Sequence, residues 1–303
     1  MSARRALRET SVSIRGCPFT IAHLSDLHDR PFDAAAESLR RSRPDIICVT
    51  GDFVNARRRP EEEVAANARF ILPFFEMCSG IAPVFVSLGN HEWMLTESDL
   101  SLIRGTGAAV LDDSYVRYRG AVIGGLSSSL VSRYRAEVVN AGLRERFPYP
   151  GAAGVTSRME PDLSVLDGFC SQEGYRILLC HHPEYYERYL SGRELSLVLS
   201  GHAHGGQIRL LGRGLYAPGQ GILPKLTEGV HFGRLIVSRG LPTTRSSPEC
   251  STRPRSCTSG PKTEQGKTAV SLPAGPAKRR IPRFFYSVYV RDICLRSVSR
   301  PSG

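Results

Sequence analysis

The sequence has 303 residues, of which 41% are hydrophobic and 23% charged, as is typical of a globular chain able to bury a full core. No run of about eighteen apolar residues occurs, and the Arg-rich start lacks an apolar stretch, so we expect neither a membrane-spanning helix nor a secretory signal. The net charge of +11 is uneven, because residues 242–303 hold 12 Lys or Arg and only 3 Asp or Glu.

The eight cysteines favour a cytoplasmic protein. They form no Cys-x-x-Cys pair, and Cys48 and Cys180 lie inside predicted buried strands. Scattered core thiols are typical of a reducing compartment rather than of a disulfide framework or a zinc knuckle. We therefore predict a cytoplasmic location.

The first third of the chain alternates between strand and helix patterns. Short runs of Val, Ile and Leu predict buried strands, and Pro or Thr marks the start of each helical segment. The predicted strands are Phe19–Leu24, Ile46–Thr50 and Val84–Leu88, and the predicted helices are Phe32–Arg43, Pro60–Cys78 and Thr96–Gly105. This alternation predicts an α/β sheet with helices on its faces.

After Leu111 the pattern changes to a hairpin followed by a less regular region. Ser114–Arg119 and Ala121–Leu126 predict two strands that turn at Gly120, and Tyr134–Phe147 predicts a partly helical cap. The remaining predicted elements are a helix at Leu163–Ser171, strands at Ile177–Cys180 and Leu195–Ser200, and strands of a second sheet at Gln207–Leu211 and Val230–Val237.

The C-terminal region differs in composition from the rest of the chain. Pro242–Arg280 is rich in Pro, Ser, Thr, Gly and Arg and poor in apolar residues, which predicts disorder. We predict a catalytic domain over residues 1–241 and a basic, largely disordered tail over residues 242–303.

Five predicted strands each end at residues that can bind a metal. Six of the eight histidines lie at these ends. The candidate ligands are Asp26, His28, Asp52, Asn90, His181, His202 and His204. Because ligands bind outside the carboxyl ends of parallel strands, we expect these side chains to share one crevice.

The candidate ligands favour a pair of borderline divalent metals. Carboxylate, imidazole and amide donors without thiolate suit manganese, iron or zinc better than calcium. Seven ligands exceed the needs of one tetrahedral ion. Two ions that share one carboxylate would use the whole set, and such pairs activate water and bind phosphoryl groups.

The order of the motifs resembles the calcineurin-like metallophosphoesterases. The matching blocks are SDLH, GD, GNHE, HHPE and GHAHGGQ, and the later GLYAPGQG and VSRGL segments resemble a bacterial branch that includes UDP-2,3-diacylglucosamine hydrolases. The resemblance covers Phe19 to Leu241. It implies a four-layer fold in which two packed mixed β-sheets are flanked by helices, and metal-dependent hydrolysis of a phosphoester or pyrophosphate by a metal-activated water.

The resemblance also implies a role for each candidate residue. Asp26, His28 and His204 would hold the first ion, Asn90, His181 and His202 the second, and Asp52 would bridge the two. His91 would be catalytic, either stabilising the developing charge or protonating the leaving oxygen.

The chain departs from the family pattern at three places. His182 replaces the usual Asn after the metal-binding His, and we predict that it hydrogen-bonds His181, with a substrate contact as the alternative. Ser127 and Ser128 stand where relatives often carry an acidic pair. The residues Pro242–Arg280 precede a string, Ile281–Phe285, that resembles the family's closing strand, so either an insertion splits that strand or the reading frame has drifted.

The substrate is left open between several alternatives. The bacterial branch favours UDP-2,3-diacylglucosamine or another lipid-linked diphosphate, and a peripheral location at the inner face of the membrane would follow. A cyclic-nucleotide phosphodiesterase or nuclease on the same site is the first alternative, and a non-catalytic binding module of the same fold is the second.

Other conspicuous residues have simpler explanations. We predict that His23 and His231 are hydrogen-bonded structural residues and that Trp93 packs near the site, with stacking on a substrate ring as its alternative. For the basic tail we favour a solvated extension over an interfacial anchor for anionic lipid. Nucleic-acid binding is the weakest interpretation, and no specific nucleic-acid partner is expected.

Overall fold

The computed structural model describes residues 6–55, 71–156, 158–206, 208–210, 213–240 and 291–296. Its helices are α1 (Asp33–Ser42), α2 (residues 71–79), α3 (Glu97–Gly105), α4 (Ser129–Tyr134) and α5 (Ser164–Cys170). Its strands are β1 (Ala6–Thr10), β2 (Ile21–Leu24), β3 (Ile46–Thr50), β4 (Val84–Ser87), β5 (Ala109–Val110), β6 (Ser114–Tyr118), β7 (Ala121–Leu126), β8 (Tyr175–Cys180), β9 (Leu197–Ser200), β10 (Ile208–Leu210), β11 (Arg213–Ala217), β12 (Gly221–Ile222), β13 (Gly229–His231), β14 (Leu235–Val237) and β15 (Arg291–Arg296).

The described strands form two six-stranded sheets and one small sheet. The first sheet has the order β1-β15-β2-β3-β4-β5, and all its pairings are parallel except that of β1 with β15. The second has the order β13-β14-β9-β8-β7-β6, with antiparallel pairs only at its two edges. The small sheet joins β10, β11 and β12 in antiparallel pairs.

The two large sheets pack face to face because their strands are apolar on both sides. In β3, Ile46 and Cys48 face the second sheet, where they pack with Ile177 and Leu199. The intervening side chains, such as Ile47, point the other way. This alternation follows from the two-residue period of a strand and gives each sheet two buried faces.

Helices cover the outer faces of both sheets. On the first sheet, Leu39 of α1 and Leu100 of α3 pack with the outward side chains of β3 and β4. On the second sheet, Leu166 and Phe169 of α5 pack with Leu178 of β8. The layers are therefore helix, sheet, sheet and helix, and the predicted α/β fold with two packed mixed sheets is confirmed.

The starts of α1 and α3 agree with the sequence, whereas α4 begins at Ser129, before the partly helical segment predicted at Tyr134–Phe147, of which Arg135–Val139 is a helical turn. At α3, the Thr96 hydroxyl accepts a hydrogen bond from the Asp99 amide (3.2 Å), and the Asp99 carboxylate accepts one from the Thr96 amide (2.8 Å). This reciprocal cap satisfies two amides that the first helical turn leaves without partners.

Of the helix predicted over Pro60–Cys78, residues 60–70 lie outside the described residues.

Two strand predictions were wrong. The segment Val230–Val237 forms two strands, because Phe232 and Gly233 both have positive φ (52° and 69°) and turn the chain between β13 and β14. Positive φ at both central residues is the geometry of a tight hairpin turn. The strand predicted at Gln207–Leu211 appears as β10, but it joins the small sheet rather than the second large one.

The C-terminal region contributes one described strand to the first sheet. β15 lies between β1 and β2, antiparallel to the first and parallel to the second. The described residues belong to one unit, which joins residues up to 242 with those from 286 onward. The predicted disordered segment Pro242–Arg280 and the string Ile281–Phe285 lie outside the described residues, so the division at residue 241 stays a prediction.

None of the described helices has the length and apolar character that crossing a bilayer requires.

Candidate metal centre

The strand ends that carry the candidate ligands meet between the two large sheets. Three of the strands, β2, β3 and β4, belong to the first sheet, and the other two, β8 and β9, to the second. Within each sheet these strands run parallel, so their carboxyl ends lie at one edge of the sheet, and the two edges meet at one crevice.

Hydrogen bonds tie the strand-end loops to one another. The Asp26 amide donates to the Gly51 carbonyl (3.1 Å), and the His202 amide donates to Asp26 Oδ2 (3.1 Å). The second bond joins the loop after β9 to the loop after β2, and so connects the two sheets. The ligand positions are therefore fixed by the backbone and not by the side chains alone.

Two glycines allow the loops to approach this closely. A side chain at Gly201 would collide with Ser25 Oγ and lie 2.6 Å from Asp26 Oδ2. A side chain at Gly89 would collide with the Asp52 carboxylate. Glycine at these positions lets the backbone of one loop contact the carboxylate of another.

Five of the seven candidate ligands have left-handed backbone conformations. Their φ angles lie between 49° and 66°, a region that few residues other than glycine occupy. The residues are Asp26, His28, Asp52, His202 and His204. Such conformations cost about 1–3 kcal/mol each and persist where the surrounding structure fixes them, commonly at functional sites.

The side chains assemble into overlapping clusters of possible ligand atoms. One cluster joins Asp26, His28 and His204, and another joins Asp52, His181 and His202. The His204 Nε2 atom lies 3.3 Å from Asp26 Oδ1, and His28 Nε2 lies 3.8 Å from the same oxygen. Because metal–ligand bonds measure about 2.0–2.2 Å, roughly 3–4 Å is the spacing expected for two ligands of one ion.

Asp52 lies between the two clusters. Its Oδ1 atom accepts a hydrogen bond from the His91 amide (2.8 Å), which fixes the carboxylate plane. Its Oδ2 atom lies 3.2 Å from His181 Nε2 and 3.9 Å from His28 Nε2. One oxygen therefore faces imidazoles of both clusters.

The hydrogen bond of His181 determines which of its nitrogens can bind a metal. His181 Nδ1 lies 2.6 Å from the Thr50 carbonyl oxygen, which can only accept. A proton must therefore be on Nδ1, which leaves Nε2, 3.2 Å from Asp52 Oδ2, as the nitrogen that can bind a metal. A carbonyl that orients the ligand ring in this way is typical of metal-binding histidines.

Buried polar atoms without hydrogen-bond partners support a bound cation. An unpaired polar atom in a protein interior is costly, so a set of them at one place requires an explanation. Five such atoms belong to candidate ligands: Asp26 Oδ1, His28 Nδ1, His28 Nε2, Asn90 Oδ1 and His181 Nε2. They are the oxygen and nitrogen donors that divalent metals prefer, so the residues present fit a metal centre.

The electrostatics favour a charged Asp52 and neutral His28 and His202. Burial raises the pKa of Asp52, but His181 outweighs it and holds that pKa well below its ordinary value. Burial lowers the pKa of His28 to about 4 and the pKa of His202 well below its ordinary value. The carboxylate is therefore charged at neutral pH, and both imidazoles are neutral with an available lone pair. Burial lowers the pKa of His181, but Asp52 outweighs it and raises that pKa to about 10, so a metal must displace the Nε2 proton of this histidine.

The predicted catalytic residue His91 lies at the open side of the crevice. Its ring packs edge-on against His28, with centroids 4.6 Å apart, and its Nε2 atom lies 3.8 Å from Asp52 Oδ2. The His91 side chain is 29% exposed, whereas that of Asp52 is 2% exposed. Solvent and a small molecule can therefore reach His91 directly.

His182 does not make the predicted hydrogen bond to His181. Its Nε2 atom lies 2.8 Å from Ser128 Oγ, and its Nδ1 atom lies 3.1 Å from Glu184 Oε1. Both ring nitrogens are therefore used, and the ring packs 4.3 Å from that of His202. Ser128, at the position where relatives often carry an acid, binds this histidine and caps α4.

Glu92 is a site residue that the sequence reasoning missed. Its buried carboxylate accepts hydrogen bonds from the amides of Gly89 (2.7 Å), Asp52 (2.8 Å) and Val54 (3.2 Å). It therefore fixes the loops after β3 and β4 together. The local bond to the Gly89 amide could have been read from the spacing within the GNHE block, but the bonds to the distant Asp52 and Val54 amides could not.

The histidines predicted to be structural have hydrogen bonds within the protein. His23 Nε2 lies 2.9 Å from Thr50 Oγ1, and the ring is fully buried. His231 Nε2 lies 3.0 Å from the Glu228 carbonyl oxygen. Both residues agree with the prediction.

Comparisons with known proteins identify the family. Residues 19–206 match the calcineurin-like phosphoesterase family model. YpbG of Bacillus subtilis is 27% identical over 236 residues, covering 75% of each chain. A metallophosphoesterase of Aquifex aeolicus is 26% identical, covering 78% of this chain and 82% of that protein. NAD nucleotidase of Haemophilus influenzae has a TM-score of 0.36 and 14% identity, and covers 65% of this chain and 39% of that one. The chain belongs to the calcineurin-like phosphoesterases.

Proposed function

We propose that this metal-dependent phosphoester hydrolase uses two ions bridged by Asp52. The position of Asp52 carries the proposal, because a single carboxylate oxygen faces His28 of one cluster and His181 of the other. A carboxylate between two ions lowers their mutual repulsion and holds them at the separation used in phosphoryl chemistry. Membership of the family supports divalent-metal hydrolysis in general.

Seven residues would hold the two ions. Asp26, His28 and His204 are the candidates for the first, and Asn90, His181 and His202 for the second. The cations would supply a water nucleophile at neutral pH and neutralise charge on the phosphoryl oxygens. Manganese, iron and zinc all suit this set of oxygen and nitrogen donors.

The protein's own contribution is to position charge and a proton around the phosphate. His91 is exposed at the crevice and adjacent to Asp52, so it can donate a hydrogen bond to a phosphoryl or leaving-group oxygen. The rigid loops, tied by Glu92, hold these groups in place before substrate arrives. Such preorganisation is a major source of rate enhancement.

The proposal is tested with purified protein, manganese and bis(p-nitrophenyl) phosphate. We expect Asp52→Asn to lower the rate at least a hundredfold, because a neutral amide cannot bridge two cations. The matched control is Asp33→Asn, which changes an exposed acid in the first turn of α1 that is not a candidate ligand. Equal product release by wild type and Asp52→Asn would show that the bridging role is wrong.

Metal analysis separates one ion from two. We expect about two ions per chain in wild type and at most one in His181→Ala, since that histidine lies in the Asp52 cluster. A stoichiometry of one in the active wild-type protein would contradict the dinuclear centre while leaving hydrolysis itself intact.

For the physiological substrate we propose UDP-2,3-diacylglucosamine or another lipid-linked diphosphate, because the later motifs resemble the bacterial branch that includes UDP-2,3-diacylglucosamine hydrolases. A cyclic nucleotide or a nucleic acid is the alternative on the same centre. Turnover of UDP-2,3-diacylglucosamine and of a cyclic nucleotide, measured side by side under the same metal, decides between them. Preference for the cyclic nucleotide would reject the lipid-linked proposal.

A further inference from the structure

A pocket of about 300 Å³, here called the side pocket, opens beside the candidate metal ligands. Asn90 and His91 form one wall of it. The remaining wall consists of Trp93, Leu130, Tyr149, Pro150 and Gly151. A group joined to a phosphate at the metal centre would therefore enter this pocket next to the bond that is broken.

Trp93 is held in one orientation but is only half-buried. Its ring packs edge-to-face against Tyr134, with centroids 5.6 Å apart and planes at 85°. The Tyr134 hydroxyl in turn donates to the Phe147 carbonyl (2.6 Å). An aromatic ring that is fixed on one side and open on the other provides a binding surface at little entropic cost.

The backbone that carries Tyr149 and Pro150 is also restricted. Pro150 begins a short helical turn, Pro150–Ala153, and its carbonyl accepts a hydrogen bond from the Val155 amide (2.9 Å). The proline ring restricts the backbone next to Tyr149. Two aromatic side chains therefore line a pocket with little freedom to rearrange.

The lining determines which chemistry the side pocket can bind. Among the described residues that line it there is no Lys, Arg, Asp or Glu, and His91 and Tyr149 are the titratable side chains of this described set. A volume of about 300 Å³ is at the lower end for small-molecule pockets, which suits one compact ring system better than a long acyl chain.

We propose that the side pocket binds a neutral planar ring of the substrate, an aryl group or a nucleobase, against Trp93 and Tyr149. This inference rests on the proposed phosphoesterase function, because the phosphate must bind at the metal centre for the ring to reach the pocket. It makes Trp93 and Tyr149 specificity-determining residues.

The test uses phosphonates, which bind like phosphates but are not hydrolysed, with the manganese-loaded protein. Trp93 is the single tryptophan of the chain, so intrinsic fluorescence reports directly on the side pocket. We expect phenylphosphonate to change this emission and to inhibit about tenfold more strongly than methylphosphonate, as aromatic contacts allow. Octylphosphonate should bind more weakly than phenylphosphonate, and a nucleoside 5′-phosphonate distinguishes a nucleobase from a simple aryl group.

Variants separate the pocket from general effects on the fold. Tyr149→Ala and Trp93→Ala should each reduce the preference for phenylphosphonate over methylphosphonate about fivefold or more. Tyr216→Ala is the matched control, because Tyr216 is 40% exposed and does not line the pocket; it should keep the wild-type preference.

The outcomes distinguish this inference from the proposed function. If methylphosphonate inhibits hydrolysis but phenylphosphonate is no better, or octylphosphonate is as good, the ring site is overturned and the phosphoesterase function stands. If no phosphonate binds and no phosphodiester is cleaved with manganese present, the proposed function fails and the ring site fails with it.

Discussion

At the scale of single residues, the candidate metal centre depends on side chains outside the predicted ligand set. Glu92 and His182 are both buried. Both carboxylate oxygens of Glu92 and both ring nitrogens of His182 form hydrogen bonds inside the protein. Glu92 fixes the backbone of two ligand loops. His182 fixes the ring that packs against the candidate ligand His202.

Replacing Glu92 by glutamine tests its role in positioning. One carboxylate oxygen becomes an NH₂ group that cannot accept from a backbone amide, so we expect a loss of about 2–3 kcal/mol in the free energy of unfolding. Activity should fall about tenfold or more because Asp52 loses its fixed position. Urea denaturation and phosphodiester turnover measure the two effects. Glu97→Gln, on the exposed face of α3, is the control and should change neither by much.

A double-mutant cycle tests the contact between His182 and Glu184. His182→Ala leaves the buried Glu184 carboxylate without this partner, so we expect a loss of about 2–4 kcal/mol in the free energy of unfolding. Adding Glu184→Gln should recover part of that loss, with an interaction energy of about 1–2 kcal/mol. Chemical denaturation of the wild type, both single variants and the double variant gives the cycle. Strictly additive effects would show that the contact contributes nothing.

At the scale of elements, the site is formed where strands stop. Each loop with candidate ligands follows a strand that is buried throughout or, in β8, over its last four residues. These five strands run parallel to their neighbours among them. Parallel strands align their carboxyl ends, so ligands that are far apart in sequence become neighbours. The element next to β2 is β15, from the far end of the chain.

Deleting residues 242–303 tests the contribution of β15. The deletion removes the strand that pairs with both β1 and β2, and leaves an open sheet edge that favours aggregation. We expect a lower melting temperature and more aggregation but retained metal, because the predicted ligands all lie before residue 242. Metal content of the truncated protein, measured beside the full chain, checks this. Loss of metal with an intact far-UV spectrum would contradict it.

At the scale of the whole molecule, the two sheets are joined through the metal centre as well as through their apolar faces. Asp26 and His28 come from the first sheet, and His204 comes from the second. An ion bound by all three would therefore link the sheets. Any ligand that binds only the folded state stabilises it by mass action.

Metal removal should lower the stability of the whole fold. We expect chelation to lower the melting temperature and manganese to restore it, with a gain of about 4 kcal/mol when the free metal is a thousand times its Kd. Differential scanning calorimetry of the wild type and of Asp26→Asn measures the effect. Asp33→Asn should respond to manganese as the wild type does. An equal response from Asp26→Asn would remove Asp26 from the metal centre.

Much of the fold and of the candidate site could be predicted from the amino-acid sequence. Runs such as Val84–Leu88 are apolar on both faces, and that local property predicts a buried strand regardless of its partners. The ligand residues follow these runs directly, so their types and their shared location were also predictable. The catalytic class followed from the order of the motifs.

Only the tertiary structure decided how these segments meet. Three features join residues that are distant in sequence. They are the assignment of five strands to two sheets, the hydrogen bonds of Glu92 with the Asp52 and Val54 amides, and the pairing of His182 with Ser128. A local pattern carries no information about such partners, because they depend on how whole elements pack. The side pocket likewise exists only because the turn at Pro150 lies beside Trp93 in the folded chain.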